Sequence, residues 1–435
     1  MTDPSTRELP VGRNTLLLAG TLASQSGLMQ MVAAVSTLTF VLLTGVKGLL
    51  GVAPALVLGS AALSAFPAGK AMDRFGRMPV IRSGFVFCGV GAILTGLGAH
   101  FESAAPAVVG FVIIGLGNGQ VLLTRGAASD MYPPERRARG VGLVLFGSVF
   151  GAILGPFVFT PLFGKDAEHA SALATPWFAA SAFMLAGLGL SLMVRVDPKK
   201  IAEHHAAHAA RFAAEQAAAD AAAAGVPDDS AAPHEHVPHQ PARLSVILRR
   251  KGVLPALLAA LASYGVMVSV MNLTGYVVVE HGHSKGDLFP IISAHIVGMY
   301  GLVLQVGGII DRFGKRTAMV GGLILCGGSS LGLIWVDSIA GTAVLLFLLG
   351  VGWVFSFVAA TTQLADLTAP SERGKLIGFS DLLSGVTGAS LAIGGGLALT
   401  HGGTAAMALL AAAFAVGPVP LIAWSRLRAT VPQAA

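Results

Sequence analysis

Charge is scarce in this chain. Asp, Glu, Lys and Arg make up 11% of its 435 residues, against about 25% in ordinary soluble domains, and that excludes a soluble globular protein. Cysteine is scarcer still. Only Cys88 and Cys326 occur, in different apolar segments and without a cysteine neighbour, which excludes a disulfide framework or thiolate metal cluster and makes buried packing the commoner role for such residues, with copper handling as the alternative. No Gly-x-x-x-x-Gly-Lys-Ser/Thr phosphate loop is present, so direct coupling to ATP is not expected. The polar start, Met1 to Pro10, lacks a short apolar stretch ending in a small-residue cleavage site, so no removed signal peptide is expected and the first apolar segment stays.

What fills the chain is apolar. Hydrophobic residues make up 54% of it and the mean hydropathy is +0.74, values of an integral membrane protein. The apolar runs predict spans over 15–43, 48–69, 78–99, 105–127, 140–162 and 174–195, then 252–279, 287–309, 317–337, 340–362, 376–398 and 403–425. Each is close to the roughly 20 residues that cross hydrocarbon as helix. The expected fold class is therefore an all-α membrane protein with twelve transmembrane helices in two six-helix halves. The domains are 1–195, a linker at 196–250, and 251–435. With both termini cytoplasmic, only Lys47, Lys165 and Lys285 fall outside, leaving 28 − 3 = 25 Lys and Arg on the inner side, as basic loops require. The net charge of +6 follows from that topology, so no nucleic-acid partner is implied.

The halves repeat. Gly69-Lys-Ala-Met-Asp73-Arg74-Phe75-Gly76-Arg77 follows the second span, and Gly307-Gly-Ile-Ile-Asp311-Arg312-Phe313-Gly314-Lys315 follows the eighth, 311 − 73 = 238 residues later. Asp130 to Arg139 after the fourth span is echoed by Asp366 to Lys375 after the tenth, 366 − 130 = 236 residues later. Such spacing marks duplicated halves. The two loops resemble the signature of the major facilitator superfamily, and the resemblance covers nearly the whole chain. It implies pseudo-symmetric halves that rock about a central site. Gly69, Asp73, Arg74, Gly76, Arg77, Gly307, Asp311, Arg312, Gly314 and Lys315 would gate them by pairing charge at helix ends. Gly142, Gly151, Gly155 and Pro156 look like the glycine motif of drug antiporters in this superfamily, departing from it at Phe159 and Thr160.

Between the halves, Ile201 to Ala224 is Ala-rich and predicts a surface helix, while Gly225 to Pro241 reads as a disordered linker. His204, His205, His208, His234, His236 and His239 lie there. They offer weak metal holding at most, and a solvated linker is the simpler reading.

The strongest chemical signal is Met267-x-x-x-Met271, followed by His295-x-x-x-Met299. Residues four apart share a helix face, and thioether with imidazole suits a soft metal, copper(I) above all. At about 1.5 Å per residue, Met271 comes level with His295 and Met267 with Met299, so the four could form one site. Methionine pairs also serve simple packing, and a lone histidine can be an interhelical hydrogen bonder. Subtracting the 238-residue offset from Met267 lands on Met29, with Gln25, Gln30 and Met31 nearby, and makes Met29 a further candidate ligand. The two pairs are similar to those of the CcoA-type copper importers, a branch of the same superfamily. That resemblance implies import of copper across the bacterial cytoplasmic membrane toward haem–copper oxidases, with Met267, Met271, His295 and Met299 handling the metal.

The function expected is thus a copper-importing secondary transporter and not an enzyme. Copper is cargo, no cofactor is needed, and a monomer in the bilayer would pass the ion to a cytoplasmic copper acceptor. A drug or small-molecule efflux carrier is the first alternative, and a non-transporting copper sensor or assembly partner the second.

Overall fold

The computed structural model describes residues 9–133, 136–163, 169–223, 243–368 and 370–425, and among them the regular structure is all helical. The first half holds α1 (Val11–Thr44), α2 (Val52–Phe75), α3 (Arg77–His100), α4 (Ala104–Val121) with its continuation α5 (Thr124–Asp130), α6 (Arg137–Phe159) and α7 (Ala174–Leu192). The linker contributes α8 (Pro198–Ala223) and the short α9 (Leu244–Leu248). The second half holds α10 (Val253–Glu280), α11 (Leu288–Tyr300), α12 (Val303–Phe313), α13 (Lys315–Gly332), α14 (Ile339–Asp366), α15 (Pro370–Val416) and α16 (Val419–Trp424). Helices prevail because hydrocarbon offers backbone N–H and C=O groups no partner, so each segment must satisfy its own.

Nine of the described helical segments are long and apolar enough to cross a membrane, and a bent pair makes a tenth. One of the nine, Glu372–Trp424, turns at Gly403, where φ is 66°, and so supplies two spans. The 18-residue α13 is not among those segments, but it packs along α14 as α3 packs along α4. The eighth span departs from expectation. It is not one helix over 287–309 but α11 and α12, bent by 50° across Gly301 and Leu302, because glycine inside an apolar run gives the helix little reason to stay straight.

Equivalent helices pack alike in the two halves. α3 lies along α4 as α13 lies along α14, α2 crosses α4 as α11 crosses α14, and α1 lies along α6 as α10 lies along α15. Glycine sets the closest approaches, since lipid supplies no hydrophobic drive and helices must gain from backbone proximity. A Cβ on Gly115 would sit 2.3 Å from Val57 O, and one on Gly350 would sit 2.5 Å from His295 O. Cys88 and Cys326 take equivalent buried places, 3.5 Å from Ile114 O and 3.7 Å from Leu349 O.

The halves meet through α2 with α15, α6 with α11 and α1 with α10. Far from the basic loops they are pinned tightly. Thr400 Oγ1 donates to Lys47 O at 3.0 Å, Thr160 Oγ1 to Gly286 O at 3.2 Å, and Phe159 stacks on Phe289 with ring centres 5.2 Å apart.

Candidate substrate site in the membrane-spanning core

The two sequence-predicted pairs occupy different surroundings. His295 and Met299 lie on α11 against α14, both buried. The contact is close because Gly350 has no side chain to hold the backbones apart: its Cβ position lies 2.5 Å from His295 O and 2.9 Å from Met299 N. His295 Nδ1 stands 2.7 Å from Leu346 O. A carbonyl only accepts, so Nδ1 carries the proton and donates. In the neutral ring the remaining lone pair is then on Nε2, which is buried with no hydrogen-bond partner among the described residues. Leaving such an acceptor unmet costs about 1–3 kcal/mol, and a metal-binding histidine is typically oriented in this way, its second nitrogen donating to a carbonyl.

Met267 is buried on α10 and Met271, one turn on, is half-buried. Met271 shares its helix face with Tyr264, two turns away, and both stay partly accessible. α10 packs mainly on α15, α1 and α14, and it touches α11 only over a short stretch. The Met-x-x-x-Met helix and the His-x-x-x-Met helix are therefore both flanked by α14, with limited direct contact between them.

In the first half Met29 is half-buried and packs against the core, while Met31 is fully buried. The neighbouring glutamines are engaged. Gln25 Nε2 donates to Asn118 Oδ1 at 2.5 Å, and Gln30 Nε2 donates to Gly151 O at 2.8 Å. Ser293, two residues before His295, donates to Ala152 O at 2.7 Å and lies 3.2 Å from Gln30 Oε1. These bonds seat the histidine-bearing helix on α1 and α6. Gly151 and Gly155 of the glycine motif make room for this: their Cβ positions lie 2.0 Å from Ala23 O and from Gln30 Oε1.

The loop motifs form one polar face. Gly76 and Gly314 both have positive φ, 98° and 85°, a conformation that favours glycine and sharply joins α2 to α3 and α12 to α13. Arg74 and Arg312 lie over their neighbouring Phe75 and Phe313 rings at 5.1 and 5.6 Å. Arg77 bonds Asp73 at 2.8 Å and Asp130 at 2.7 Å, and Asp197 accepts from the backbone N–H groups of Arg77 and Met78. Lys315 pairs with Asp366, while Asp311 has no ion pair among the described residues. Gly69 and Gly307 have open space where a side chain would begin. Outside the spans, Arg250 is clasped by Glu372 at 2.6 and 2.9 Å, and the hydrogen bond to that carboxylate holds its pKa above the usual value.

Of the linker histidines, His204, His205 and His208 lie on α8, while His234, His236 and His239 fall outside the described residues. Burial, with His204 and Arg137 nearby, lowers the His205 pKa. Among the described residues no three His, Cys, Asp or Glu side chains converge on a metal site.

One further group stands outside every sequence motif. Arg125 on α5 pairs with Asp381 on α15 across the two halves, beside Tyr264 and Tyr300. Tyr264, Phe357, Trp353 and Tyr300 form a continuous run of rings with centres 5.9, 5.3 and 6.0 Å apart. The available signal was a charged residue inside each of two apolar spans, which is rarely without purpose.

Two pseudo-symmetric helical halves enclosing polar groups in a membrane core define a secondary transporter, a carrier rather than an enzyme. The model described as Major Facilitator Superfamily matches residues 15–391 and 291–434, and the chain belongs to that superfamily. It is 29% identical over 392 residues to the uncharacterized MFS-type transporter YdeG of Bacillus subtilis, covering 88% of this chain and 85% of that one. It is 26% identical over 330 residues to the riboflavin transporter RfnT of Brucella anthropi, covering 74% and 73%. In fold it is similar to the inward-open xylose transporter XylE of E. coli, with a TM-score of 0.71, 15% identity and coverage of 97% and 98%.

Proposed function

We propose that this transporter imports copper, as copper(I), using His295 and Met299 with Met267 and Met271 as the donors met along its path. The observation that carries the reading is the His295 ring, buried in a membrane span with Nδ1 committed to Leu346 O and Nε2 without a partner among the described residues. A soft cation is the ligand that an imidazole lone pair together with thioether donors would favour. Neutral donors without thiolates bind firmly enough to select and weakly enough to release. Met29, half-buried on α1, would receive or pass the ion from the other half.

In this reading copper enters from outside the bacterial inner membrane, the halves rock, and the ion leaves toward the cytoplasm to an acceptor that supplies copper enzymes. Both termini would be cytoplasmic and the working unit a monomer in the bilayer. The Arg77 and Lys315 pairs would open and close as the basic end changes state. The rival reading, carriage of a small organic molecule in either direction, draws on the riboflavin cargo in the name of RfnT. A copper-binding sensor without turnover is the third.

Copper accumulation, measured by mass spectrometry in cells lacking and then regaining the protein, separates these. Restored accumulation that falls in Met267→Leu/Met271→Leu at unchanged protein level is the expected result. Accumulation indifferent to the protein would remove the copper reading and leave the organic one.

A further inference from the structure

We propose that the His281-Gly282-His283 turn and Asp337 form a proton-responsive tether, which sets how firmly the two halves close at the end of the bundle away from the basic loops. It is independent of the copper reading and uses none of its donors. The turn follows α10, and Gly282, with φ of 86°, redirects the chain as glycine readily does. Both imidazoles thereby reach one residue of the loop between α13 and α14. His281 Nδ1 stands 3.3 Å from Asp337 Oδ1, and His283 Nε2 donates to Asp337 O at 2.6 Å.

The tethered segment is the one that meets the other half. Further along it, Gly286 O accepts from Thr160 Oγ1 at 3.2 Å, and the Phe289 ring lies 5.2 Å from the centres of both Phe159 and Phe163. Between tether and contact, Ser284 and Asp287 close a capping box, the Asp287 carboxylate accepting from Ser284 N at 3.0 Å and from Ser284 Oγ at 2.7 Å. A segment so braced moves as a unit, so holding its start on Asp337 holds Gly286 and Phe289 against the first half. The fold itself asks for no histidine here. In the first half α1 ends on Thr44-Gly45-Val46, where Gly45 has φ of 70° and lies 282 − 45 = 237 residues earlier, and the matching turn is made without a titratable side chain.

Solvent protons reach the tether, since the His281 side chain keeps 30% of its exposure and Asp337 78%. With His281 neutral, the contact sets a ring dipole against a carboxylate. A proton turns it into an ion pair, and a second proton on His283 adds a cation beside the same residue. Carboxylates are ionised above about pH 4 and imidazole gains its proton below about pH 6.5, so the tether tightens as pH falls through that window and slackens as pH rises. The other charged groups of the turn and its segment are Glu280, Lys285 and Asp287; the facing Thr160–Leu162 has none, and Lys47 and His401 stand at the same end. An exposed pair is weak, so acid should shift the balance between closed and open forms a few-fold.

The test uses the full-length protein in lipid nanodiscs, with nitroxide labels on Phe101→Cys and Ala405→Cys, exposed positions at this end of the first and second halves. Cys88 and Cys326 are buried and stay unlabelled. Pulsed electron resonance gives the label separations at about pH 8 and about pH 5.5, on either side of the imidazole range. The ratio of the shorter, closed separation to the longer one should rise about threefold on acidification. His281→Gln/His283→Gln, and separately Asp337→Asn, should each remove at least about half of that rise. A ratio that is the same at both pH values in the labelled protein with His281, His283 and Asp337 intact would overturn the proposal without need of any further variant. More than half of the rise surviving in either substituted protein would overturn it too. Copper plays no part in the measurement, so failure here leaves that reading untouched.

Discussion

The two halves of this transporter are built on one plan, and they part company at one side chain in particular. Gly115 packs on Val57 O in the first half, and Gly350 packs on His295 O in the second. The offset, 295 − 57 = 238, is that of the repeated loops, so valine and histidine hold equivalent places against equivalent glycines. Val57 and His295 are both buried, yet only the histidine brings a polar ring, with one nitrogen unpartnered among the described residues. Met299 likewise corresponds to Ala61 at the same offset. Where the fold alone makes the demand, as at Cys88 and Cys326 beside Gly117 and Gly352, both halves answer with the same residues. Packing at this helix crossing needs no histidine in the first half, and that comparison is what supports the copper reading of His295.

The largest effect should come from erasing that difference. His295→Val gives the second half what the first half already tolerates, and it should lower copper accumulation by more than about tenfold with protein abundance preserved. Loss of abundance in parallel would make His295 a packing residue and break the comparison. Next come the shared glycines. Gly115→Val and Gly350→Val each force a side chain against a carbonyl oxygen, and each should destabilise by about 1–3 kcal/mol or more, read as a lower melting temperature in detergent. A large effect in one half only would show that the halves do not share this crossing.

The polar face sharpens the contrast further. Arg77 is held by two carboxylates, and Asp130 is the more shielded, its side chain 25% exposed against 74% for Asp73. Asp130→Asn should therefore slow transport several-fold more than Asp73→Asn, because an exposed pair contributes only about 0–1 kcal/mol. Copper binding in detergent should survive both. Asp311→Asn should change least, since that side chain has no ion pair among the described residues. Replacing the six linker histidines with Gln should alter accumulation by no more than about twofold, because no metal-holding cluster includes any of them among the described residues.

Much of this was legible in the sequence, for physical reasons that also mark where reading stops. Apolar runs of span length announce themselves because hydrocarbon tolerates little else, and the loop copies at Asp73 and Asp311 disclose the duplication. The break at Gly301 was not legible, since a glycine among apolar residues signals equally a close contact or a bend. The Met and His residues stood out by type and spacing. Their surroundings did not: periodicity gives a helix face, not the neighbour it meets, and the helices whose donors read as level both pack on α14 and touch each other only over a short stretch. Arg125 and Asp381 lay in plain view as charges within apolar spans, but their partnership spans 256 residues and becomes visible only when the halves are brought together.

The measurement that bears most directly on the central claim is X-ray absorption of the copper(I)-loaded full-length protein, comparing the native chain with His295→Val. One nitrogen with two or more sulfur neighbours around copper, and loss of the nitrogen in the variant, is the result predicted. A copper shell that is the same in both proteins, or the absence of sulfur from it, would contradict the account.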